Sequence, residues 1–157
     1  GIVWFPLGKG GAYSLPSTIT SIGENAFYGT SITSIEIPSS VTAIGRGAFA
    51  GSALTEITLP DNITNISEGM FQNCVSLATV RLGSGTEYVG NYVFSGTVLK
   101  DLYISASIPP YAAEHAFFGT PVSITENCVL HVPYGTKAVY RNNSKWGLFK
   151  QIEEYRH

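Results

Sequence analysis

Apolar and polar positions in this chain return with a period of 22 or 23 residues. Phenylalanine stands at Phe27, Phe49, Phe71, Phe94 and Phe117. Leu15-Pro16, Ile37-Pro38 and Leu59-Pro60 keep the same step, and Leu82 and Ile104 continue it without the proline. Each unit closes on an apolar set: Ile32, Ile35 and Ile37; Leu54, Ile57 and Leu59; Leu77, Val80 and Leu82; Leu99, Leu102 and Ile104. The last two members of each set flank one polar residue, the period-2 signature of a strand with one buried face. A unit this short cannot bury that face alone, so successive units must stack and pair their strands in parallel.

Two further signals recur inside the unit. A shorter apolar pair follows the turn, at Ile19 and Ile22, Val41 and Ile44, Ile63 and Ile66, and more weakly Thr86 and Val89, and belongs on an opposite wall. After it comes a run such as residues 24–29, in which a small residue precedes the phenylalanine and glycine follows two later. This predicts one helical turn per unit. Gly29, Gly51, Gly96 and Gly119 then take the left-handed position that ends the turn, and Asn73 replaces glycine in the third copy. The proline after three of the strands removes a ladder donor and ends pairing there. The fold class expected is a right-handed repeat solenoid, rich in β structure, with a parallel sheet, short helical turns and a C-terminal helical cap.

The pattern frays at both ends. Residues 1–16 read as a partial N-terminal repeat, with residues 12–15 as its closing strand and residues 2–7 as a remnant. Residues 17–119 carry the repeats, and Ile108-Pro109-Pro110 falls where the fifth short wall strand is expected. Residues 120–157 add an insertion, a final strand over 128–132 and a cap. Within the cap, 136–145 reads as an amphipathic helix with Thr136 as N-cap, burying Val139 and Tyr140. Trp146, Phe149 and Ile152 continue the apolar surface. A solenoid needs such a cap to keep its last core layer dry.

Composition narrows the function. The 157 residues amount to about one domain, 44% of them hydrophobic and 13% charged. The net charge of −2 leaves no basic surface for phosphate neutralisation, which argues against nucleic-acid binding. No apolar stretch approaches the ~20 residues of a membrane span. The two cysteines, Cys74 and Cys128, lack any CxxC spacing. They fall on different layers of the stack, about 10 Å or more apart, and are expected to be reduced. The chain begins with Gly1 and holds a single methionine, Met70, so it is expected to be a processed product or an excised segment.

The unit at residues 37–51, Ile-Pro-Ser-Ser-Val-Thr-Ala-Ile-Gly-Arg-Gly-Ala-Phe-Ala-Gly, resembles the BspA-type leucine-rich repeats of bacterial surface proteins. It recurs from about Leu15 to Gly119. The ending Leu130-His131-Val132-Pro133-Tyr134-Gly135-Thr136, with Tyr140, Trp146 and Phe149, is similar to the C-terminal module that closes many of these proteins. Departures are Met70 in the small-residue position, Gly83 and Ser105 where proline would follow the strand, and a degenerate fifth unit. The resemblance implies a secreted or surface-anchored bacterial protein that binds other proteins or host matrix. It carries over no catalytic residue.

The residues carry no recognisable catalytic or metal-binding pattern. His115, His131 and His157 form no HExxH or His-x-His pair and read as surface or cap residues. No Gly-x-Ser-x-Gly elbow occurs, and Gly83-Ser84-Gly85 reads as a turn in place of proline. Gly8-Lys9-Gly10-Gly11 lacks the ending of a phosphate loop and reads as a hairpin or inter-unit loop. Glu56 and Asp101 share a face but lie two strands, about 10 Å, apart, beyond the spacing of a catalytic acid pair, and no calcium-binding nonapeptide is present. Sequons begin at Asn62, Asn65 and Asn142; the first two arise from the repeat's own Thr and Ser usage. No enzyme activity, cofactor or metal is therefore expected.

The residues alternating outward on the main strands are Ser34, Glu36, Glu56, Thr58, Thr79, Arg81, Asp101 and Tyr103. Two readings of this polar ladder stay open, a plain solvated sheet face and a concave binding face. Arg81 and Tyr103 are its best contact candidates because Arg and Tyr are enriched in interface hot spots. Pointing outward, each is expected to cost less than ~0.5 kcal/mol of folding free energy when removed. The primary expectation is a non-enzymatic adhesion module, extracellular or on the cell surface, that binds a host or matrix protein or a glycan through one face. The alternatives are a rigid spacer presenting another domain and, more weakly, a polysaccharide-acting β-solenoid enzyme.

Overall fold

In a computed structural model that describes residues 10–156, the repeating apolar sets become the coils of a parallel β-solenoid. One wall collects β1 (Gly10–Ser14), β3 (Ser31–Glu36), β5 (Glu56–Thr58), β7 (Thr79–Leu82), β9 (Asp101–Ile104), β11 (Val129–Pro133) and β12 (Gln151–Tyr155). The second wall holds the two-residue strands β2 (Ser21–Ile22), β4 (Ala43–Ile44), β6 (Asn65–Ile66), β8 (Tyr88–Val89) and β10 (Tyr111–Ala112). Every strand pairing is parallel. The main sheet runs β5-β7-β9-β11-β12 beside the pair β1-β3, and Thr55 N–H donates to Thr33 O at 3.1 Å across the join.

Strand geometry follows the sequence spacing closely. Ile57, Val80, Leu102, Leu130 and Ile152 fall in one register row and face inward, as alternation requires. Ile32 and Ile35 are three apart, which a regular strand cannot bury together. The β1–β3 register accordingly slips, Gly11 and Ala12 pairing with Ile32 and Ser34 and skipping Thr33. This bulge turns both isoleucines inward. Gly10 and Gly11 thus belong to a strand rather than to the loop expected for residues 8–11; Gly8, Lys9 and residues 2–7 lie outside the described residues.

The third wall departs from expectation, because no helical turn forms around the phenylalanines. Instead alternate residues hydrogen-bond to the next coil: Phe27 N–H donates to Ala48 O at 2.7 Å, Phe49 to Met70 O at 3.1 Å and Phe71 to Val93 O at 3.0 Å. Gly29, Gly51 and Asn73 continue the ladder to Ala50, Gln72 and Ser95 at 2.7–2.9 Å. A helix would consume these donors internally. They are freed by a second left-handed residue per coil, at Asn25, Gly47, Gly69 and Tyr92, with φ of 55°, 60°, 63° and 58°. The expected left-handed ends are present too, with φ of 67° at Gly29, 68° at Gly51, 76° at Gly96, 86° at Gly119 and 60° at Asn73.

Inside, the phenylalanines form one column. Phe27, Phe49, Phe71, Phe94 and Phe117 follow one another at centroid distances of 5.4, 6.0, 6.2 and 6.4 Å, with planes within 17° of parallel. Trp146 and Phe149 close the column edge-on against Phe117, each at 5.1 Å. Cys74 and Cys128 are buried free thiols.

The C-terminal segment caps the stack with less helix and more strand than expected. A short helix α1 (Ile124–Asn127) forms in the insertion, and α2 spans only Lys137–Arg141. Asn143 Oδ1 accepts from Lys145 N–H at 2.9 Å and Trp146 N–H at 3.1 Å, a local alternative to helical hydrogen bonding. Thr136 Oγ1 donates to Pro133 O at 2.6 Å instead of capping. Val139, expected in the core, is 52% exposed. Tyr140 is buried, its hydroxyl donating to Ala106 O at 2.7 Å. A 3-10 turn at Trp146–Leu148 leads into β12, which pairs with β11. The sheet therefore ends one strand later than the 128–132 strand expected to close it. In the fifth unit Ile108-Pro109-Pro110 displaces the wall strand only slightly, and β10 follows at Tyr111.

Candidate recognition surface

Parallel strands about 4.8 Å apart place residues of equal register face to face. On the outward side of the main wall this produces two columns. One runs Glu56, Thr79, Asp101, Val129, and the other Thr58, Arg81, Tyr103, His131, Glu153. Ser34 and Glu36 stand at the β3 end, where Ser14 Oγ donates to Glu36 Oε2 at 3.3 Å. All eight ladder residues thus sit on one wall.

The second column is a built stack rather than a row of free side chains. The Arg81 guanidinium carbon lies 4.1 Å from the Tyr103 ring centroid. On the next strand the His131 ring is parallel to Tyr103 within 7° at 4.0 Å. Tyr155 meets Tyr103 edge-on at 5.4 Å, and its hydroxyl lies 3.0 Å from Ser105 Oγ and 3.2 Å from Ile104 O. His131 Nε2 is 2.8 Å from Asp101 Oδ1, which ties the two columns together. Tyr103 is consequently covered on both ring faces and half-buried, so the small folding cost expected for its removal does not fit its surroundings.

Two shallow clefts flank this surface. One of about 170 Å³ is bordered by Thr58, Asp61, Arg81, Tyr103, Ser105 and Tyr155. Another, about 330 Å³, lies between Ser34, Glu36, Glu56 and Thr58. The exposed carboxylates Glu36, Glu56 and Glu153, with half-buried Asp101, outnumber Arg81 on these strands, giving the wall a negative cast. His131, expected as a surface or cap residue, is instead a member of the stack, and Tyr155 stands outside the repeat pattern. The repeat spacing from Tyr103 to His131 is lengthened by the insertion, which hid their shared register.

The remaining chemistry-bearing groups are dispersed. Thr79 separates Glu56 from Asp101 in their column. Among the described residues no three His, Cys, Asp or Glu side chains cluster to hold a metal ion. His115 stacks on Tyr92 at 5.6 Å, and His157 lies outside the described residues. Burial, reinforced by the Asp101 charge, pushes the Cys128 thiol up to about 12, and burial likewise raises Cys74, whose Sγ donates to Phe49 O at 3.0 Å. Both thiols are therefore protonated at neutral pH and poor nucleophiles. No helix among the described residues is long and apolar enough to cross a membrane.

A family model described as BspA type leucine rich repeat region matches residues 11–122 in six copies. No curated protein matches the chain. Three solved chains do. One is a leucine rich cell surface protein from Faecalibacterium prausnitzii, aligned with a TM-score of 0.60 and 23% identity over 93% of this chain and 32% of that one. The likeness is one of fold, and this chain spans about a third of that protein's length.

Proposed function

Because the chain belongs to the BspA-type leucine-rich-repeat family, we propose that it is a non-enzymatic recognition module of a bacterial surface or secreted protein, binding a host or matrix protein through the outward face of its main sheet. The observation that carries this reading is the Arg81–Tyr103–His131 stack with Tyr155 at its edge. Interface hot spots are rich in Arg and Tyr, and side chains already held by their neighbours lose little entropy on binding. The surrounding Glu36, Glu56, Asp101 and Glu153 select a partner with a basic surface, so association should weaken as salt rises.

A rigid spacer is the second reading, favoured by the inter-coil hydrogen bonds that run along the third wall as well as both sheets. The two separate on a binding experiment. The whole chain is immobilised and exposed to a panel of extracellular-matrix proteins and mucin at low and high salt, beside Arg81→Ala. Salt-sensitive capture by the parent that falls at least tenfold in Arg81→Ala supports the recognition reading. Absence of capture across the panel, or capture indifferent to Arg81, favours the spacer.

A further inference from the structure

The solenoid holds several columns of stacked rings, and they end differently. Trp146 and Phe149 close the phenylalanine column, Tyr155 abuts the main-sheet column, and Phe118 meets the Tyr92–His115 pair edge-on at 4.8 Å. On the second wall Tyr88 and Tyr111 stack at 5.7 Å, within 11° of parallel. That column stops at Tyr111, because β10 is the edge strand of the order β6-β8-β10. Among the described residues no further ring meets Tyr111, and it is 69% exposed.

A cleft of about 450 Å³ opens beside this ring, between Pro110, Tyr111 and Glu114 on the solenoid and Asn143, Ser144 and Lys145 on the cap. That size falls within the ~300–1,000 Å³ of ordinary ligand sites. Its walls are fixed before any ligand arrives. Trp146 Nε1–H donates to Pro110 O at 2.8 Å, and Lys145 Nζ donates to Glu114 O at 3.4 Å. The Asn143 carbonyl oxygen accepts from two backbone N–H groups, which commits Oδ1 to the protein and leaves Nδ2 as the donor for a ligand.

We propose that this cleft is a second binding site, distinct from the main-sheet surface, and that it takes a pyranose residue of a glycan, which would continue the Tyr88–Tyr111 stack. The chemistry selects this class. A pyranose offers one face of C–H groups to an aromatic ring and a rim of hydroxyls that both donate and accept. Around the cleft, besides Tyr111, stand a carboxylate, an amide donor, an aliphatic hydroxyl and an ammonium, at Glu114, Asn143, Ser144 and Lys145, which serve such a rim. A proline-rich peptide needs a groove lined by aromatic side chains, whereas the side of the cleft facing Tyr111 is polar. A nucleotide needs a phosphate site, and Lys145 is the one cation lining the cleft, its Nζ already donating to the Glu114 main-chain oxygen.

A single ring held against one exposed tyrosine is expected to bind with a dissociation constant of ~1 mM. The test uses the whole chain with cellobiose, maltose, lactose and N,N′-diacetylchitobiose as probes, read by saturation-transfer NMR and titration. At least one disaccharide is expected to receive transfer at its ring C–H protons. Binding is expected to fall about tenfold or more in Tyr111→Ala and to persist in Tyr111→Trp and in Tyr28→Ala, an exposed tyrosine on another wall. Tyr111 is exposed, so its loss leaves the fold intact, checked by an unchanged melting curve. No transfer to any of the four sugars at 10-fold excess over ~1 mM, binding that ignores Tyr111→Ala, or binding of a decaproline peptide in place of the sugars would each overturn the proposal.

Discussion

Replacing Tyr103 by alanine probes both the stability and the organisation of the main-sheet surface. Three contacts vanish together: Arg81 over one ring face at 4.1 Å, His131 over the other at 4.0 Å, and the Tyr155 edge at 5.4 Å. An exposed cation–π contact contributes about 0.5–1 kcal/mol, and each aromatic pair about 0.5–1.5 kcal/mol. The partial exposure of the stack favours the low ends, so Tyr103→Ala should cost about 2 kcal/mol. For a chain of this size that lowers the melting midpoint by roughly 4–8 °C. Arg81→Ala alone should cost about 0.5–1 kcal/mol, and nothing further once Tyr103 is gone. Urea denaturation of the parent, both single variants and the double variant closes the cycle. A Tyr103→Ala loss below ~0.5 kcal/mol, the value for an unattached surface residue, or additive single losses, would refute the stack.

Other outcomes follow from the core and cap. Phe71→Ala empties the middle of the phenylalanine column and should cost about 3–5 kcal/mol, splitting unfolding into two transitions because each coil contacts only its neighbours; a single unshifted transition in calorimetry contradicts this. Tyr140→Phe leaves the buried Ala106 carbonyl without its 2.7 Å donor and should cost about 1–3 kcal/mol by denaturation, against no change if water replaces the hydroxyl. Burial raises Cys74, Cys128 and Tyr140 in the folded state. Their stabilisation is therefore complete below their unfolded values of 9 to 10 and is lost as pH rises through the raised folded values, about 12 for Cys128; stability that holds constant to pH 12 is the contrary result. Removing residues 134–157 deletes β12 and bares the β11 edge and the last core layer, so the remainder should aggregate; a monomer with the parent's melting midpoint shows the segment is no cap.

The repeat was legible because each coil reuses the same few positions. Ile57, Val80 and Leu102 announce the inward row by spacing alone, and the five phenylalanines announce the core column. The third wall was harder. Its second left-handed position is occupied by Asn25, Gly47, Gly69 and Tyr92, and the tyrosine broke a pattern that glycine and asparagine otherwise carried. Ring stacking on the outward face was hidden for a different reason. His131 joins Tyr103 only after an insertion containing α1, and Tyr155 arrives on a strand that no repeat pairs in sequence. Val139 shows the limit of helical periodicity: it projects about 100° around α2 from its neighbour Tyr140, and the side of the helix that buries Tyr140 leaves Val139 exposed.

The most direct test of recognition by the main sheet is hydroxyl-radical footprinting of the whole chain bound to a matrix protein captured from the panel. Tyrosines mark each wall separately: Tyr103 and Tyr155 on the main sheet, Tyr88 and Tyr111 on the second wall, and Tyr28 on the third. Recognition by the main sheet requires Tyr103, Tyr155 and His131 to lose reactivity in the complex while Tyr28 keeps its own. Protection of Tyr28 with unchanged oxidation of Tyr103 and Tyr155 would place the contact on the opposite side of the coil and contradict it.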